Sequence, residues 1–308
     1  MNSTAGSGRG DDPGDGETEL SQVAPRKSLG QHFLHDERVL TKIAALSRPE
    51  PGSGIVEVGP GTGALTAFLV ELGAPLHAVE RDDRLPPLLR ARFGEALTVH
   101  PGDATALDWD ALLRAPGLGP RPVVVGNLPY NVGAAILMRV LELGARVDRM
   151  VVMLQREVAE RICADGPRHP AWGLLAVHAQ WRAETRLAFR VGPGAFRPPP
   201  KVDSAVITLQ PRSAPPFAVP DADRFDRLVN AGFGQRRKQL VVALHNTLHL
   251  DRAVVQSALK GAGLPIDIRA ERLDLAAWAA LANALDEAIA STAVPAPRRR
   301  RDQQRAEP

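Results

Sequence analysis

Short apolar runs alternate with amphipathic stretches over residues 25–211 of the chain. The runs are rich in Val, Ile and Leu and stop at Gly, Pro or acidic residues, a pattern that predicts buried strands. Strands that alternate with helices are typical of an α/β fold with a mostly parallel sheet. The predicted strands are residues 54–58, 77–80, 97–100, 123–126, 149–154, 186–191 and 204–209.

The helical stretches carry their apolar residues on one face. In the first part of the chain they are predicted at 36–46, with Asp36 as the N-cap, and at 132–143, 155–162 and 171–181. Residues 211–220 are rich in Pro and Ala, and beyond them only helices are predicted, at 222–232, 235–248, 251–261 and 273–290. The sequence therefore predicts an α/β domain over 25–212 and a small all-α domain over 213–292.

Both ends of the chain differ in composition from the part between them. Residues 1–24 are rich in Gly, Ser and Asp, whereas the other end carries the basic run Arg298, Arg299, Arg300 and Arg301. Segments of this kind bury too little apolar surface to fold, so we expect disordered tails at 1–24 and 293–308. The basic tail has two interpretations, an electrostatic contact with RNA or a solvated extension.

Composition narrows the class of protein. The 308 residues are 44% hydrophobic, enough for one large domain and a smaller one. The single cysteine, Cys163, excludes a disulfide framework and any multi-cysteine zinc site. It thereby excludes the zinc site of the deaminases that act on adenine, and we expect no metal. Because no segment resembles a signal peptide or a membrane span, we expect a cytoplasmic protein without membrane contact. A pI of 9.4 permits a phosphate-bearing partner.

Candidate chemistry begins where the first predicted strand meets a glycine-rich turn. Gly59 and Gly61 let a ligand approach the backbone at a helix N-terminus, and Glu80 ends the next strand in position to bind a ribose diol. The same pattern fits a dinucleotide fingerprint, so a nicotinamide-dependent oxidoreductase is the fold-level alternative. Two features favour S-adenosylmethionine: Glu57 stands two residues before Gly59, and the turn has no phosphate-binding Arg or Lys.

Asp103 follows the third predicted strand and has two interpretations. Its carboxylate either accepts the exocyclic amine of a cofactor's adenine or caps the turn that follows it. In an open α/β sheet, ligands bind beyond the carboxyl ends of parallel strands. Since Gly59, Glu80, Asp103 and Asn127 follow four successive strands, we expect them at one edge of the sheet and at one site.

The turn after the fourth strand carries Asn127, Leu128, Pro129 and Tyr130. Pro129 restricts Leu128 to an extended backbone that aims its carbonyl outward, beside the side-chain carbonyl of Asn127. Two acceptors and an aromatic face are what a flipped-out adenine amino group needs. We interpret this turn as the base pocket of an adenine-N6 methyltransferase; the alternative is an ordinary strand ending in an Asn-x-Pro turn.

Two further stretches suit an RNA substrate. Three prolines at 198–200 make a stiff extended connector, which presents Phe196 and Lys201 with little entropy to lose. Arg236, Arg237 and Lys238 form a compact basic cluster of the kind that contacts an RNA backbone. We expect Lys201 and this cluster to bind RNA.

Six motifs in this order resemble those of the KsgA-type ribosomal RNA adenine dimethyltransferases. They are KSLGQHFL (27–34), VEVGPGTG (56–63), NLPYN (127–131), QREVAERI (155–162), FRPPPKVDSA (196–205) and FGQRRKQL (233–240). The resemblance implies a class I methyltransferase fold that binds S-adenosylmethionine, with a Rossmann-like seven-stranded sheet and a small helical C-terminal domain. It also implies a monomer that dimethylates two adjacent adenosines in the 3′-terminal hairpin loop of 16S rRNA, within the small (30S) ribosomal subunit or its precursor.

The resemblance also implies roles for single residues. Asn127 and Leu128 hold the target amine, Tyr130 stacks on the base, and Phe196 forms a second aromatic wall. The implied cofactor contacts are His32, Leu34, Gly59, Glu80, Asp103 and Asn127. The departures from the family are Arg197 in place of a common threonine, Gly133 in place of a common serine, and Pro86 and Pro87 in the helix after Glu80.

Two alternative functions remain open. A large-subunit rRNA methyltransferase of the antibiotic-resistance type shares the fold and a similar Asn-x-Pro-Tyr motif, but the FRPPPKVDSA and FGQRRKQL strings favour the small-subunit enzymes. A ribosome-assembly factor that binds immature subunits, with methylation as a secondary activity, is the alternative from another functional class. A single protein can be both an assembly factor of this kind and a small-subunit rRNA methyltransferase.

Overall fold

The computed structural model describes residue 20 and residues 23–26, 29–235 and 237–292. Its described residues form nine strands: β1 Phe33–Leu34, β2 Ile55–Val58, β3 Leu76–Glu80, β4 Thr98–Pro101, β5 Val123–Asn127, β6 Met150–Gln155, β7 Ala183–Val191, β8 Phe196–Arg197 and β9 Ser204–Pro211. Seven of them form one sheet in the order β4-β3-β2-β5-β6-β9-β7, and β1 pairs with β8 in a separate two-stranded sheet. Each strand predicted from the sequence lies in the large sheet.

The large sheet is mostly parallel. β2 pairs in parallel with β3 and β5, β3 with β4, and β5 with β6. The exception in the described sheet is β9, which runs antiparallel between β6 and β7. The predicted α/β class and mostly parallel seven-stranded sheet are confirmed, and the carboxyl ends of β2 to β5 meet at one edge.

Eleven α-helices occur in the described part of the chain: α1 Glu37–Leu46, α2 Ala64–Val70, α3 Leu85–Phe93, α4 Trp109–Leu112, α5 Gly133–Leu141, α6 Arg156–Ile162, α7 Leu174–Arg182, α8 Ala222–Phe233, α9 Leu240–Leu248, α10 Arg252–Gly261 and α11 Leu275–Ala290. Asp36 precedes α1, and its side chain accepts hydrogen bonds from the backbone of the first turn, as predicted. Pro86 and Pro87 lie in the first turn of α3, where a missing N–H breaks no helical bond.

The core of the first part of the chain lies on both faces of the large sheet. Ile55 and Val123 pack with residues of α1, α2 and α3, whereas Val56 and Val124 pack with residues of α4 to α7. Successive residues of a strand point to opposite faces, so helices on both sides leave no polar face. This explains why the strands are apolar at consecutive positions.

The chain divides into two compact units. One contains the described residues through 165 together with 169–215, and the other contains 166–168 together with 216–292. The predicted boundary at 212/213 lies close to this division. The second unit contains α8 to α11 and buries Phe225 and Trp278. Within the described ranges, no helix combines the length and the apolar character needed to cross a membrane.

The helix predicted at 235–248 begins later than expected. Gln239 has an extended backbone (φ −61°, ψ 150°), and α9 starts at Leu240. The N–H of Lys238 donates to the carbonyl of Gln235 at 2.8 Å, which forms a turn, and the N–H of Leu240 donates to the carbonyl of Ile268 at 2.8 Å. The tertiary bond at Leu240 replaces a helical one, so the basic residues precede the helix instead of opening it.

The predicted disordered tail over 1–24 is wrong at residues 20, 23 and 24, the part of it that the structure describes. Leu20 is only 1% exposed and belongs to the core that contains Leu34 and Leu40. The carbonyl of Ala24 accepts a hydrogen bond from Arg84 at 3.1 Å. Burial of Leu20 and the hydrogen bond of Ala24 offset part of the entropy of ordering this segment, and the folded unit starts before residue 25. Residues 1–19 and 21–22 and the predicted tail over 293–308 lie outside the described residues.

Candidate active site

A cavity in the first unit opens at the edge where β2 to β5 end. Its lining includes Gly59, Glu80, Asp103 and Asn127, which lie at or just after the ends of the four strands. The expected convergence of these positions on one edge is therefore observed. Tyr130 lines the same cavity, so the residues singled out for the base and those singled out for the cofactor face a common space.

A segment that precedes β2 covers part of the cavity. All of residues 29–34 belong to the lining, including His32 and Leu34, to which the resemblance assigns cofactor contacts. The ring of Phe33 packs against Gly61, where φ is +57° and an added Cβ would lie 3.1 Å from Phe33 Cδ1. A side chain at residue 61 would thus strain the backbone and crowd the covering segment.

The covering segment is held by a carboxylate that sequence reasoning did not single out. Asp82 is completely buried. Its Oδ2 accepts hydrogen bonds from Gln31 Nε2 at 3.0 Å and from Arg84 Nη2 at 2.6 Å, and its Oδ1 lies 3.1 Å from Arg26 Nη1. The Arg84 guanidinium, with Gln31, holds the pKa of Asp82 well below its usual range, so the anchor stays ionised.

Glu80 lies at the end of β3 and is 5% exposed. Its Oε2 accepts the N–H of Gly61 at 3.0 Å, and its Oε1 accepts the N–H of Asp82 at 2.7 Å. Burial raises the pKa of Glu80, while these backbone donors act in the opposite direction. The two hydrogen bonds fix the carboxyl group beside the glycine turn, with lone pairs left to accept from a diol.

Glu57 lies on β2 and is 1% exposed. The hydroxyl of Thr66 donates to its Oε2 at 2.7 Å. Burial raises the pKa of Glu57 to about 8, the Thr66 hydrogen bond lowers it, and the nearby Glu80 raises it further. Glu57 is therefore mostly protonated at neutral pH, and it offers the cavity a neutral O–H group where a second carboxylate would repel Glu80.

Asp103 combines features of both interpretations. Its Oδ1 accepts the N–H and the hydroxyl of Thr105 at 2.9 and 2.7 Å, so the carboxylate does cap the turn after β4. Its Oδ2 lies 3.4 Å from Arg81 Nη1, and both side chains line the cavity. Asp103 therefore caps the turn and also lies at the cavity, where Arg81 pairs with its second oxygen.

Asn127 is oriented by the covering segment. Its Nδ2 donates to the carbonyl of His32 at 3.1 Å. Because a carbonyl only accepts, the amide nitrogen must face His32, and the amide oxygen, Oδ1, takes the other position. The N–H of Leu128 donates to the carbonyl of Met153 at 3.1 Å, which ties the turn to β6. Leu128 and Pro129 both line the cavity. Asn127 and Leu128 therefore lie side by side at the cavity.

Tyr130 is held at both its hydroxyl and its ring. The hydroxyl lies 2.7 Å from Ser204 Oγ, within hydrogen-bond distance. The ring stacks on the imidazole of His32, with centroids 5.6 Å apart and planes 26° from parallel. Burial raises the pKa of Tyr130, so the phenol is neutral at physiological pH. Sequence reasoning missed Ser204, and it treated His32 only as a cofactor contact.

The structure does not bring Phe196 to the cavity as a second aromatic wall. Phe196 is 2% exposed and lies in the core, paired with Leu34 across β1 and β8. Its position is set by strand pairing, which directs the side chain inward, so this expectation is corrected. The ring that faces Tyr130 in the structure belongs to His32.

Of the residues predicted to bind RNA, those that the structure describes lie on the surface. Lys201 is exposed in the connector between β8 and β9, and Arg237 and Lys238 are exposed in the turn before α9. Arg236 lies outside the described residues. In the part of the chain that the structure describes, no group of three or more His, Cys, Asp or Glu side chains is placed to hold a metal ion.

Comparison with known proteins adds to this geometry. The family model described as ribosomal RNA adenine dimethylase matches residues 23–287. The ribosomal RNA small subunit methyltransferase A of Anaeromyxobacter sp. (strain K) is 46% identical over 266 residues, which cover 84% of this chain and 93% of that protein. The protein of the same name from Pseudomonas aeruginosa is 40% identical over 272 residues, covering 88% and 98%.

Two solved structures share the fold. The 23S rRNA methyltransferase ErmE is 26% identical with a TM-score of 0.63, and the match covers 82% of this chain and 99% of that one. A dimethyladenosine transferase from Plasmodium falciparum is 22% identical with a TM-score of 0.70, covering 83% and 98%. The second likeness supports the fold alone.

Proposed function

Given that the chain belongs to the ribosomal RNA adenine dimethylase family, we propose that it dimethylates N6 of two adjacent adenosines in the 3′-terminal hairpin loop of 16S rRNA. The methyl donor of this family is S-adenosylmethionine, and the chain is an rRNA adenine dimethyltransferase that depends on it. The observation that carries the residue assignments is the shared cavity: the Asn127 turn and Tyr130 face the same space as Gly59 and Glu80.

The cavity fits this cofactor. At Gly59 an added Cβ would meet only the carbonyl oxygen of Asn127, at 4.0 Å, so this glycine leaves open space at the cavity. Glu80 is held by two backbone N–H groups in position to accept from a ribose diol. Asp103 lies just after the next strand, where an adenine amine would be accepted. When bound, S-adenosylmethionine supplies an electrophilic methyl group on a sulfonium. His32 and Leu34 close the site from the covering segment.

The target base binds at the Asn127 turn. N6 of adenine is a poor nucleophile because its lone pair is delocalised into the ring. Hydrogen bonds from the amine to Asn127 Oδ1 and to the Leu128 carbonyl favour a more pyramidal nitrogen and direct its lone pair toward the methyl group. Pro129 keeps the Leu128 carbonyl in its extended position. The methylated amine is cationic and loses its proton readily, so the site needs no strong general base.

Stacking on Tyr130 holds the base after it leaves the RNA stack. A base on an aromatic side chain gains roughly 1–3 kcal/mol, comparable with the cost of unstacking it. The electron-rich face of the neutral phenol also favours the positive charge that develops on adenine during transfer. With Phe196 in the core, Tyr130 is the aromatic platform of this pocket, and His32 is the ring next to it.

The substrate is 16S rRNA within the small ribosomal subunit or its precursor, in the cytoplasm, and one copy of the chain acts alone. Lys201, Arg237, Lys238 and Arg236 contact the RNA backbone. Lys and Arg neutralise phosphates and release counterions, which gives affinity without sequence specificity. Specificity for adenine then rests on the Asn127 turn.

The test offers unmethylated small and large ribosomal subunits separately, with S-adenosylmethionine labelled in its methyl group. We expect label in the small-subunit RNA, and mass spectrometry should find two adjacent dimethyladenosines near its 3′ end. Label confined to the large subunit would contradict the proposal and favour the antibiotic-resistance type of enzyme. Small subunits already methylated at these positions serve as the control and should take up no label.

A further inference from the structure

Tyr130 stands in a turn and needs something to hold its ring in place. It lies between β5, which ends at Asn127, and α5, which begins at Gly133. Outside regular structure, a tyrosine side chain has two free torsions, one that places the tip of the ring and one that rotates its plane. A stacking platform works only if both are restricted, because a mobile ring loses entropy when the base binds.

The hydroxyl of Tyr130 is anchored to the sheet. Its partner at 2.7 Å, Ser204 Oγ, belongs to a residue with no exposed surface. Ser204 is the first residue of β9 and pairs with Gln155 on β6 and with Val191 on β7. Strand pairing on both sides gives the Ser204 hydroxyl a fixed position. The hydrogen bond to this hydroxyl restrains the phenol oxygen at the tip of the Tyr130 ring.

The plane of the ring is restricted from another direction. The imidazole of His32 stacks on Tyr130 at 5.6 Å, and its Nδ1 lies 2.7 Å from the carbonyl of Pro198. Because a carbonyl only accepts, Nδ1 carries the proton in this bond and the imidazole cannot rotate freely. The hydroxyl bond therefore fixes the ring's tip, and the stacked His32 limits its rotation.

We propose that Ser204 is a positioning residue for methyl transfer: its hydroxyl holds the Tyr130 ring in the orientation that receives the target adenine. This rests on the proposed function, in which Tyr130 stacks on the base. Ser204 is completely buried and is not among the residues that line the cavity. Its contribution is preorganisation, so it acts on the RNA substrate and leaves the affinity for S-adenosylmethionine unchanged.

The first measurement is a double-mutant cycle on kcat/KM for unmethylated small subunits. Ser204→Ala and Tyr130→Phe remove the same hydrogen bond from its two ends, and each should lower kcat/KM by roughly 3- to 10-fold. The double variant should be no slower than the slower single variant, because the bond is lost only once. Ser204→Thr keeps a hydroxyl and should recover most of the rate.

The second measurement uses a property of the composition: the chain contains one tyrosine. Tyrosine labelled with ¹³C at Cζ therefore yields a single resonance that reports on Tyr130 alone. Ser204→Ala should shift this resonance in the folded protein. It should also raise the pKa of the phenol, since the Ser204 hydrogen bond acts to lower that pKa against the effect of burial.

Ser47→Ala is the matched control. Ser47 is also completely buried, and its hydroxyl donates to the carbonyl of Ile43 at 2.8 Å at the end of α1. This variant should lose a comparable amount of thermal stability while kcat/KM and the Tyr130 resonance stay at wild-type values. It separates loss of a buried hydroxyl from loss of the anchor.

Three outcomes would overturn the inference. The first is a Ser204→Ala variant with wild-type kcat/KM and an unmoved resonance, and the second is a double variant whose loss equals the product of the two single losses. In either case, methyl transfer to the small subunit by the wild-type chain would leave the proposed function standing. The third is a wild-type chain that transfers no methyl group, which overturns the proposed function and the inference with it.

Discussion

Asn127 has two polar atoms on its side chain, and the fold gives them different partners. Nδ2 donates at 3.1 Å to the carbonyl of His32, 95 positions away in the sequence. An amide without such a partner would present its donor and its acceptor to a ligand in either orientation. The His32 contact therefore selects Oδ1 for the proposed bond to the adenine amine.

Replacing Asn127 by alanine tests this assignment. Asn127→Ala should lower kcat for methyl transfer by roughly 100- to 1,000-fold, the usual cost of removing one preorganised hydrogen-bonding group from a reacting centre. The fold should persist, since the side chain makes one bond, to His32. Transfer of labelled methyl groups to unmethylated small subunits measures the rate, and circular dichroism measures the fold.

Asn283→Ala is the matched control for that experiment. Asn283 is exposed on α11, and its side chain donates to the carbonyls of Ala218 and Ala279. Its turnover should equal that of the wild type. Near-normal turnover in Asn127→Ala would contradict the pocket assignment, whatever the control shows.

Glu57 makes a second residue-scale prediction, on stability against pH. Its pKa is raised from 4.5 to about 8 in the folded chain by burial. Folding therefore favours the protonated form, so stability is greatest below the unfolded pKa near 4.5 and falls as pH rises toward 8. The loss is at most about 1.4 kcal/mol per pH unit in this window.

Glu57→Gln keeps the shape and an acceptor for the Thr66 hydroxyl but cannot ionise. In the cofactor-free protein, the free energy of unfolding of this variant should fall less between pH 5 and 8 than that of the wild type. Chemical denaturation at several pH values measures the difference. Parallel curves for the two proteins would show that Glu57 ionises in the folded state without penalty.

Among the structural elements, the covering segment depends most on contacts made at a distance. Residues 29–34 contain only the two-residue strand β1, which is too short to hold them. Asp82, at the corner between β3 and α3, adds a buried attachment through Gln31, and it also pairs with Arg26 just before the segment. The same residue's N–H donates to Glu80, so the segment and the carboxylate proposed to bind the ribose share one anchor.

Asp82→Asn should therefore weaken cofactor binding as well as stability. The amide has no charge for Arg26 and Arg84, which are partly exposed and partly solvated, so the effect is moderate. We expect the Kd for S-adenosylmethionine to rise roughly 5- to 30-fold, about 1–2 kcal/mol. Isothermal titration calorimetry measures it, and faster proteolysis within residues 29–34 should accompany it.

Asp83→Asn provides the control, because it makes the same chemical change one residue later. The Asp83 side chain is 81% exposed and pairs with Arg26 at 2.7 Å. Its Kd for the cofactor should stay close to that of the wild type. Equal losses in the two variants would mean that the charge of this corner matters and the buried anchor does not.

At the scale of the whole molecule, the proposed chemistry and part of the proposed RNA contact belong to different units. The cavity is in the first unit, and Arg237 and Lys238 are in the second. Net charge is only +3, so attraction to RNA depends on where basic residues lie. Removing them should change RNA binding and leave the cavity intact.

The double variant Arg237→Ala/Lys238→Ala tests this division. Binding to small subunits should weaken, and the slope of log K against log salt should fall by roughly 0.7–0.9 for each phosphate that the protein no longer neutralises. The Kd for S-adenosylmethionine should not change. Filter binding across a salt series, with cofactor titration alongside, measures both quantities.

Arg252→Ala/Lys260→Ala removes the same charge from the same unit. Both residues are exposed on α10 and lie outside the turn that precedes α9. This variant should retain the wild-type salt slope. If its slope fell as far as that of the first variant, the effect would come from net charge and the basic cluster would have no special role.

Much of the site could be predicted because its residues follow strands that are recognisable locally. Gly59, Glu80, Asp103 and Asn127 each come after an apolar run, and parallel strands bring such positions to one edge. Phe196 was misplaced because its environment depends on pairing with Leu34 across β1 and β8, which two-residue strands do not reveal in the sequence. Asp82 was missed because it resembles its exposed neighbour Asp83.

The sequence by itself determined the α/β class, the seven strands of the large sheet, most of the helices, and which motifs would gather at the sheet's edge. Periodicity and turn residues act over a few neighbours, so they can be recognised along the chain. Only the tertiary structure decided the partners of those motifs: Ser204 meets Tyr130 across 74 positions, and His32 meets Asn127 across 95. Pairings of that separation depend on how the elements pack, because no local pattern encodes them.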